Sequence, residues 1–154
     1  MNGTLDPTDI KILNLLQQDA RLNLQKISER VHKSTSSVNE RISKLKEQGF
    51  IKRYVAILDP EKIGKHFLAI TQVTLSVHTR AALTGFEEKI KEWPEVLLCL
   101  HLSGACDFIL HIAVPDSSSY HDFLLDRLCI MEQVANVQTF IVLKECKSNS
   151  PYPL

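Results

Sequence analysis

The 154-residue sequence predicts an α+β fold with two domains. Three helical hydrophobic patterns lie within residues 7–48, and a βαββαβ succession of patterns follows within residues 67–143. The hydrophobic fraction of 44% is sufficient for two small cores. Net charge is zero, but residues 1–65 contain 12 Lys/Arg and 8 Asp/Glu, whereas residues 66–154 contain 6 and 10. This asymmetry predicts a first domain that binds a polyanion and a second domain with another task.

Three helices are predicted in the first half, each preceded by a side chain that can cap its N-terminus. Asp6 caps the first helix, at 7–18. Asn23 caps the second helix and Ser34 caps the third, which ends at Gly49 in a left-handed conformation. The inward-facing residues are Ile10, Leu13 and Leu16 in the first helix, Leu24, Ile27 and Val31 in the second, and Val38, Ile42 and Leu45 in the third.

The second and third helices are joined by a turn of only two or three residues. With the extended segment FIKRYVAIL after them, they match the outline of a winged helix-turn-helix, in which the second helix of the pair enters the major groove of DNA. The prediction is a DNA-binding domain at residues 1–52, followed by a linking strand or hinge at 53–65.

The third helix carries short polar and basic side chains opposite its core positions. The residues predicted to contact double-stranded DNA are Ser34, Thr35, Ser36, Ser37, Asn39, Glu40, Arg41 and Lys44. Small hydroxyl side chains allow a helix N-terminus to approach a groove closely, and backbone N–H groups there favour phosphate. Asn39 can pair with an adenine edge, whereas Lys44 and Lys46 suit phosphates. The alternative is an ordinary capping cluster on a solvated helix, but the preceding helix favours DNA.

The second half changes from helical to alternating periodicity. The predicted strands cover 67–77, 95–102, 107–114 and 137–143. A helix with Thr84 and Glu87 at capping-box spacing follows the first strand, and a second helix begins after Asp116. The order βαββαβ predicts a ferredoxin-like domain at residues 66–154, in which both helices cover one face of a four-stranded antiparallel sheet.

Most of the predicted strands are apolar on both faces, although two helices can cover only one face. The residues of even parity are Leu98, Leu100, Leu102, Phe108, Leu110, Ile112 and Val114, and those of odd parity are Leu97, Cys99, Ile109, Ala113, Ile141 and Leu143. An apolar face without helices needs another cover. The sequence therefore predicts a homo-oligomer formed by sheet-to-sheet contacts between copies of the chain.

Two other classes of function fit the sequence less well. Cys99, His101 and His111 share one parity on strands that are predicted to pair, so a metal-sensing winged-helix regulator is the alternative function. Histidines on an interface are more often packed or hydrogen-bonded than bound to a metal. No nucleophile triad, carboxylate pair or phosphate loop is present in the sequence, so we expect no enzymatic activity.

Cysteine spacing and the start of the chain indicate the compartment. The cysteines are Cys99, Cys106, Cys129 and Cys146. They form no C-x-x-C pair and lie in apolar stretches, so buried, reduced thiols are expected rather than disulfides or a zinc site. No apolar run reaches the ~20 residues of a membrane span, and the first residues, MNGTLDPTD, lack a signal-peptide pattern. We expect a cytoplasmic protein without a metal cofactor.

Several stretches resemble one family of transcription factors over nearly the whole chain. They are LDPTDIKILNLLQQDARLN, ISERVHKSTSSVNERISKLKEQGFIKRYVAILDPEKIG, PEVLLCLHLSGACDF and VQTFIVLK. The sequence is similar to the Lrp/AsnC, or leucine-responsive and feast/famine, family of bacterial and archaeal regulators. The resemblance implies a DNA-binding domain, a linking strand, and a C-terminal domain that dimerises, assembles further, often to octamers, and binds a small effector, usually an amino acid. It also implies a nucleoid-associated protein.

Two places depart from the pattern of that family. His32 and Lys33 stand where a glycine and an apolar residue are usual in the helix-turn-helix, so either His32 adopts a left-handed conformation or the turn differs slightly in shape. In the loop SGACDF, Ala105 and Cys106 stand where many members have a polar or aromatic residue. The second departure bears on which effector binds.

The loop SGACDF is the predicted effector site. Gly104 permits an unusual backbone whose N–H groups can hold a carboxylate, and Asp107 can hold an ammonium group. Alternatively, these two residues only form and cap a hairpin turn. The resemblance favours an amino acid, and it implies that Thr139, with Val137 beside it, lines the pocket from a neighbouring subunit. Because the loop residues Ala105 and Cys106 are small or apolar, an aliphatic or sulfur-containing effector such as leucine or methionine is expected.

Overall fold

The computed structural model describes residues 4–148 and 150–154. They form two compact units: one contains the chain up to Ala56 and from Lys147 onward, and the other is Ile57–Cys146. The elements are α1 (Pro7–Gln18), α2 (Leu24–Val31), α3 (Thr35–Glu47), β1 (Phe67–Leu75), α4 (Arg80–Lys91), β2 (Val96–His101), β3 (Phe108–Val114), α5 (Ser117–Phe123) and β4 (Val134–Ile141). Their order confirms the predicted α+β fold. Among the described residues, no helix is both long and apolar enough to cross a membrane.

The first unit is a three-helix domain built around one apolar cluster. Each helix begins where predicted, because Asp6, Asn23 and Ser34 accept hydrogen bonds from backbone N–H groups of the first turn. The buried residues are Ile12, Leu13, Ile27, Val31, Val38, Ile42 and Leu45. The turn between α2 and α3 passes through His32, whose φ of 53° and ψ of 49° are left-handed, which is the first of the two alternatives for this turn. This conformation costs a non-glycine residue about 1 to 2 kcal/mol.

The N-terminal end of α1 is joined to α3 by one arginine. Arg41 Nη1 lies 2.6 Å from Asp6 Oδ2 and 2.8 Å from Asp9 Oδ1. The same two aspartates form a capping box, in which the side chain of each accepts from the backbone N–H of the other. Hydrogen bonds from the Asp9 N–H and from Arg41 lower the pKa of Asp6. Arg41 therefore stabilises both the start of α1 and its packing on α3.

The C-terminal residues belong to the first unit. The Tyr152 backbone N–H donates to Gln17 Oε1 at 2.7 Å, and Gln17 Nε2 donates to the Tyr152 carbonyl at 3.2 Å. The sequence assigned all of 66–154 to one domain, whereas the chain from Lys147 onward clusters with the helices. Residues 53–65 contain only coil and turns, so the predicted linking strand has no strand partner within one chain. The domain boundaries therefore stay predictions.

The second unit contains a four-stranded antiparallel sheet of order β2-β3-β1-β4. Helices α4 and α5 pack on one face of it, and a π-helical turn at Leu124–Leu128 continues α5. The core residues are Ala69, Val73, Leu75, Phe86, Ile90, Trp93, Phe108, Leu110, Ile112, Val114, Tyr120, Phe123 and Leu128. This strand order and the single helical layer confirm the predicted ferredoxin-like arrangement.

Two local predictions in the second unit are wrong. Thr79, not Thr84, caps α4: the Thr79 side chain accepts from the Ala82 N–H at 3.3 Å, and Thr84 lies inside the helix. All four cysteines are free thiols, but Cys129 and Cys146 are exposed rather than buried. Both exposed cysteines lie outside the strands and α-helices, and Cys146 stands between Glu145 and Lys147 rather than in an apolar stretch.

An irregularity in β2 changes which side chains share a face. Val96 pairs with Ile112, and the next paired residue of β2 is Leu98, so Leu97 is an extra residue. The later pairs are Leu98 with His111, Cys99 with Leu110, Leu100 with Ile109 and His101 with Phe108. Odd and even residue numbers therefore do not identify the two faces across this strand pair. Cys99 lies on the helix face.

The sheet face away from the helices is mostly apolar, although Gln72 and Gln138 also lie on it, and we call it the outer sheet face. Its apolar members and one histidine are Leu68, Ile70, Leu98, Leu100, Ile109, His111 and Phe140. Leu98 and Phe140 are each 46% exposed. Ile141, a member of the odd-parity set in the sequence, pairs with the buried Ala69 and lies at the edge of the helix face. Adjacent residues of a strand point to opposite faces, so Phe140 is the outward residue.

The contact between Arg41 and Asp6 predicts a measurable change of pKa. The pKa of Asp6 is below its usual value of 3.8, so its contribution to stability is complete above that value and is lost as the pH falls through the lowered pKa. Arg41→Gln removes one cause of the shift and leaves the Asp9 N–H in place. We therefore expect the Asp6 pKa in the variant to rise part of the way to its usual value.

Asp116 is the matched control for this experiment, because the Ser119 N–H lowers its pKa without an arginine. Its pKa should not change in the Arg41→Gln variant. NMR titration of the two carboxyl groups measures both values. An Asp6 pKa that stays the same in the variant would contradict the electrostatic role of Arg41.

Candidate functional site

One face of α3 presents most of the residues predicted to contact DNA. Thr35, Ser36, Asn39 and Lys44 are exposed, while the core positions of the same helix are buried. The first helical turn thus offers two short hydroxyl side chains, and the following turns offer an amide and an ammonium group. This order of groups suits close approach to a groove, base-edge recognition and phosphate contact.

Ser34 and Ser37 are engaged in capping α3. Ser34 Oγ accepts from the Ser37 N–H at 3.2 Å and lies 3.0 Å from Ser36 Oγ. The remaining N–H groups of a first helical turn have no acceptor within the helix, which leaves them able to bind an anion. The capping contacts therefore fix the conformation of the N-terminus of α3, where the N–H groups without a helical partner lie.

The charged residues of α3 have different environments. Glu40 Oε1 lies 2.8 Å from Lys44 Nζ, and both side chains are more than 60% exposed. The hydrogen bond from Lys44 to Glu40 raises the pKa of Lys44, so this ammonium stays protonated. An exposed pair of this kind is weak and can be exchanged for a phosphate contact. Arg41, in contrast, is bound to Asp6 and Asp9 at the contact with α1.

A cation–π contact lies beyond the predicted group of residues. Lys46 Nζ lies 5.1 Å from the centroid of the Tyr54 ring. Burial raises the pKa of Tyr54, so its phenol remains neutral. The sequence indicated a phosphate role for Lys46 but provided no signal for Tyr54, because the contact depends on how the segment after α3 folds back.

The loop between β2 and β3 contains four of the predicted effector residues. Gly104 and Ala105 are exposed, whereas Cys106 is buried. The Gly104 φ of 158° is a conformation that residues with a Cβ rarely adopt, and a Cβ built on it would meet no atom within 4 Å. The loop therefore leaves open space beside the Gly104 backbone.

The Asp107 carboxylate at the end of this loop has two partners. The Leu75 N–H donates to Asp107 Oδ2 at 2.7 Å. His78 Nε2 lies 3.0 Å from Oδ2 and 3.0 Å from Oδ1. The Asp107 backbone N–H also donates to the Val73 carbonyl at 3.0 Å. Asp107 thus joins the loop to the end of β1, which agrees with the alternative in which it caps the turn. Its carboxylate is also the anionic group that binding of an ammonium group requires. His78 was not singled out in the sequence.

The other two predicted effector residues lie on β4. Val137 pairs with Val73, so β1 separates it from Asp107. Thr139 Oγ1 lies 2.6 Å from Tyr120 Oη, which in turn lies 2.7 Å from the Oγ1 of the fully buried Thr71. Within one chain the structure does not bring these two residues against the loop. Their assignment to a pocket shared between subunits stays a prediction.

The three residues of the metal-sensing alternative are not brought together. Cys99 lies on the helix face, and His111 lies on the outer sheet face. His101 stacks on Phe108 at a centroid distance of 4.7 Å. Burial raises the pKa of Cys99, which disfavours the thiolate that a metal requires. In the described part of the chain, no group of three or more His, Cys, Asp or Glu side chains could hold a metal ion.

Comparison with known proteins gives matches along both units. A family profile described as winged helix-turn-helix DNA-binding matches residues 5–52, and one described as Lrp/AsnC ligand binding domain matches residues 68–152. The leucine-responsive regulatory protein of Escherichia coli is 32% identical over 146 residues, covering 95% of this chain and 89% of that protein. The Bkd operon transcriptional regulator of Pseudomonas aeruginosa is 32% identical over 150 residues, covering 97% and 98%.

Among solved structures, a transcriptional regulator of Neisseria meningitidis in complex with L-Met superimposes with a TM-score of 0.92. It is 36% identical in sequence, and the match covers 97% of each chain. The similarity thus extends over both units, and the Pseudomonas and Neisseria proteins are named as transcriptional regulators. The chain belongs to the Lrp/AsnC family of DNA-binding transcriptional regulators, with an N-terminal winged helix-turn-helix and a C-terminal ligand-binding domain.

Proposed function

We propose that α3 recognises specific DNA sequences and that an amino acid controls how the assembled protein engages them. The observation that carries the first half is the exposed face of α3, at the end of a closely connected helix pair. Asn39 supplies the donor and acceptor of base readout, Thr35 and Ser36 allow close approach, and Lys44 supplies charge. Base contacts specify a sequence and phosphate contacts position the protein on it, and α3 carries side chains suited to both.

The remaining predicted DNA residues have supporting roles in this proposal. Ser34 and Ser37 organise the first turn of α3 through their capping contact. Glu40 holds the Lys44 side chain on the exposed surface. Arg41 sets the position of α3 through its contacts with α1 rather than through a phosphate.

The effector is proposed to be an amino acid held near the loop between β2 and β3. The Neisseria regulator was solved with L-Met, and the Escherichia coli relative is named leucine-responsive. In this chain, open space lies beside the Gly104 backbone for a carboxylate, and Asp107 offers an anion for the ammonium group. Ala105 and Cys106 favour an aliphatic or sulfur-containing side chain, as in leucine or methionine. Val137 and Thr139 would contribute from a neighbouring subunit.

The assembly is proposed to be a homodimer formed through the outer sheet face, which associates further to an octamer. Exposed Leu98, Leu100 and Phe140 provide apolar area on that face, and a second copy of the same sheet can cover it. An effector that binds one arrangement of dimers better shifts the population toward it. Several DNA-binding domains would then engage phased DNA sites with a different overall affinity.

The DNA proposal predicts different effects for two residues of α3. Lys44→Ala should weaken binding by a similar factor on every sequence and reduce the slope of log K against log salt by about 0.9. Asn39→Ala should lower discrimination at one base pair by about 1 to 3 kcal/mol. Gel-shift isotherms at several salt concentrations measure both quantities. Lys89→Ala is the control, because Lys89 is an exposed lysine paired with Glu92 on α4. Unchanged binding by both α3 variants would contradict the proposal.

The assembly proposal predicts opposite outcomes for two adjacent residues. Phe140→Asp should split the oligomer, because it forces a carboxylate into an apolar interface. Ile141→Asp is the matched control: Ile141 is 59% exposed at the edge of the helix face, so the mass should stay that of the wild type. Light scattering measures the masses directly. A wild-type protein that is monomeric at micromolar concentration would refute the sheet-to-sheet assembly.

The effector proposal is tested through the charge of Asp107. Asp107→Asn retains an oxygen acceptor for the Leu75 N–H and removes the negative charge. Amino-acid binding should weaken about ten- to a hundredfold, the equivalent of one charge-assisted hydrogen bond. Calorimetric titration with the twenty amino acids measures this loss. Asp116→Asn, which changes an aspartate at the α5 N-terminus, should bind like the wild type. Failure of every amino acid to bind the wild type would refute the effector.

A further inference from the structure

The Asp107 carboxylate is the anion proposed to receive the ammonium group of an effector, and His78 is bound to it. The imidazole Nε2 lies 3.0 Å from each carboxylate oxygen. The Leu75 N–H donates to Oδ2 at 2.7 Å. Among the described residues, these are the hydrogen-bond and ion-pair partners of this carboxylate. The histidine therefore contacts both oxygens at once.

The two side chains of this contact differ in exposure. The Asp107 side chain is 16% exposed, whereas the His78 side chain is 58% exposed. The Leu75 N–H belongs to the end of β1 and is part of the folded sheet. A ligand that binds a carboxylate oxygen of Asp107 therefore competes with the imidazole, which contacts both oxygens. An ammonium group needs close contact with a carboxylate oxygen, at about 2.7 to 2.9 Å.

The segment that carries His78 can release it without unfolding an element. His78 lies between the last residue of β1, Leu75, and Thr79, which caps α4. The imidazole is held by Asp107 alone among the contacts of the described residues, and more than half of it is in water. A rotation of an exposed side chain is fast and inexpensive compared with movement of a strand.

We propose that His78 is an internal competitor of the effector: it occupies the ammonium subsite of Asp107, and an amino acid binds only when the imidazole has rotated away. This inference rests on the proposed amino-acid effector and adds a residue that sets the sensitivity of the site. When only a fraction of molecules is competent to bind, the apparent dissociation constant rises by the inverse of that fraction. His78 would thus tune the effector concentration to which the protein responds.

The proposal predicts that loss of His78 tightens effector binding. His78→Ala should lower the dissociation constant for L-methionine and L-leucine about 3- to 10-fold, which corresponds to one modest hydrogen bond. A residue that only positions Asp107 would give the opposite sign. His66→Ala is the matched control, because His66 is similarly exposed and lies 2.9 Å from Glu61. This control should bind both amino acids like the wild type.

The chemical specificity of the competition is tested with the 2-oxo acids that correspond to methionine and leucine. They have the same side chains and carboxylates but no ammonium group, so His78→Ala should give them no comparable gain. In an Asp107→Asn background, the gain from His78→Ala should also shrink, since the shared carboxylate is absent. Calorimetry on the full-length oligomer measures all of these affinities, and thermal melts verify that each variant is folded.

Three results would overturn the inference: weaker amino-acid binding by folded His78→Ala, an equal gain for the 2-oxo acids, or a gain that is unchanged in the Asp107→Asn background. Unaltered affinity in His78→Ala would refute the competition while leaving the amino-acid effector in place. Absence of binding by both the wild type and His78→Ala would instead refute the effector proposal itself. The two failures are therefore distinguishable in one series of titrations.

Discussion

The alternation of side chains across the four-stranded sheet is the constraint on which the second unit depends. In β1, Ala69, Thr71 and Val73 all point to the helices and are fully buried, so their neighbours must point the other way. A shift by one residue would exchange every side chain between the core and the outer sheet face. Such a shift occurs at one point in β2, where the extra residue Leu97 changes the face to which the following side chains point. The alternation of side chains produces the apolar outer sheet face, and the extra residue in β2 separates Cys99 from His111.

An electrostatic constraint has the corresponding place in the first unit. Asp6 and Asp9 satisfy the free N–H groups at the start of α1 and also bind Arg41 of α3. The same carboxylates therefore determine where α1 begins and how α3 is held beside it. Because Arg41 belongs to α3, these ion pairs and the apolar packing together hold α3 in position against α1.

Local chemistry made most of the fold predictable from the sequence. Asp6, Asn23, Ser34 and Asp116 cap helices because each is a short acceptor placed just before an apolar pattern. Thr84 has the same local signature, but α4 had already begun at Arg80, after the end of β1. The short connection from β1 therefore places the start of α4 before Thr84, although Thr84 has the capping motif. The bulge at Leu97 likewise could not be predicted from the alternation of odd and even positions.

The candidate sites were predictable only in part, because contacts distant in sequence complete them. Asp107 was identified from its loop, whereas its partners Leu75 and His78 precede it by 32 and 29 positions. Arg41 looked available for DNA because its contacts lie on another helix, 35 and 32 positions earlier. A residue type and its spacing indicate what a side chain can do. Which partner occupies it depends on the tertiary structure.

The paired hydrogen bonds between Gln17 and Tyr152 have a consequence in terms of polymer entropy. They close a loop of 135 positions, and most of that loop is the second unit. While that unit is folded, its residues add no freedom to the loop. Unfolding of the unit would lengthen the effective loop, and each doubling of flexible length costs about 0.6 kcal/mol. Chain connectivity alone therefore makes the attachment of the C-terminal residues to α1 sensitive to whether the ligand-binding domain is folded.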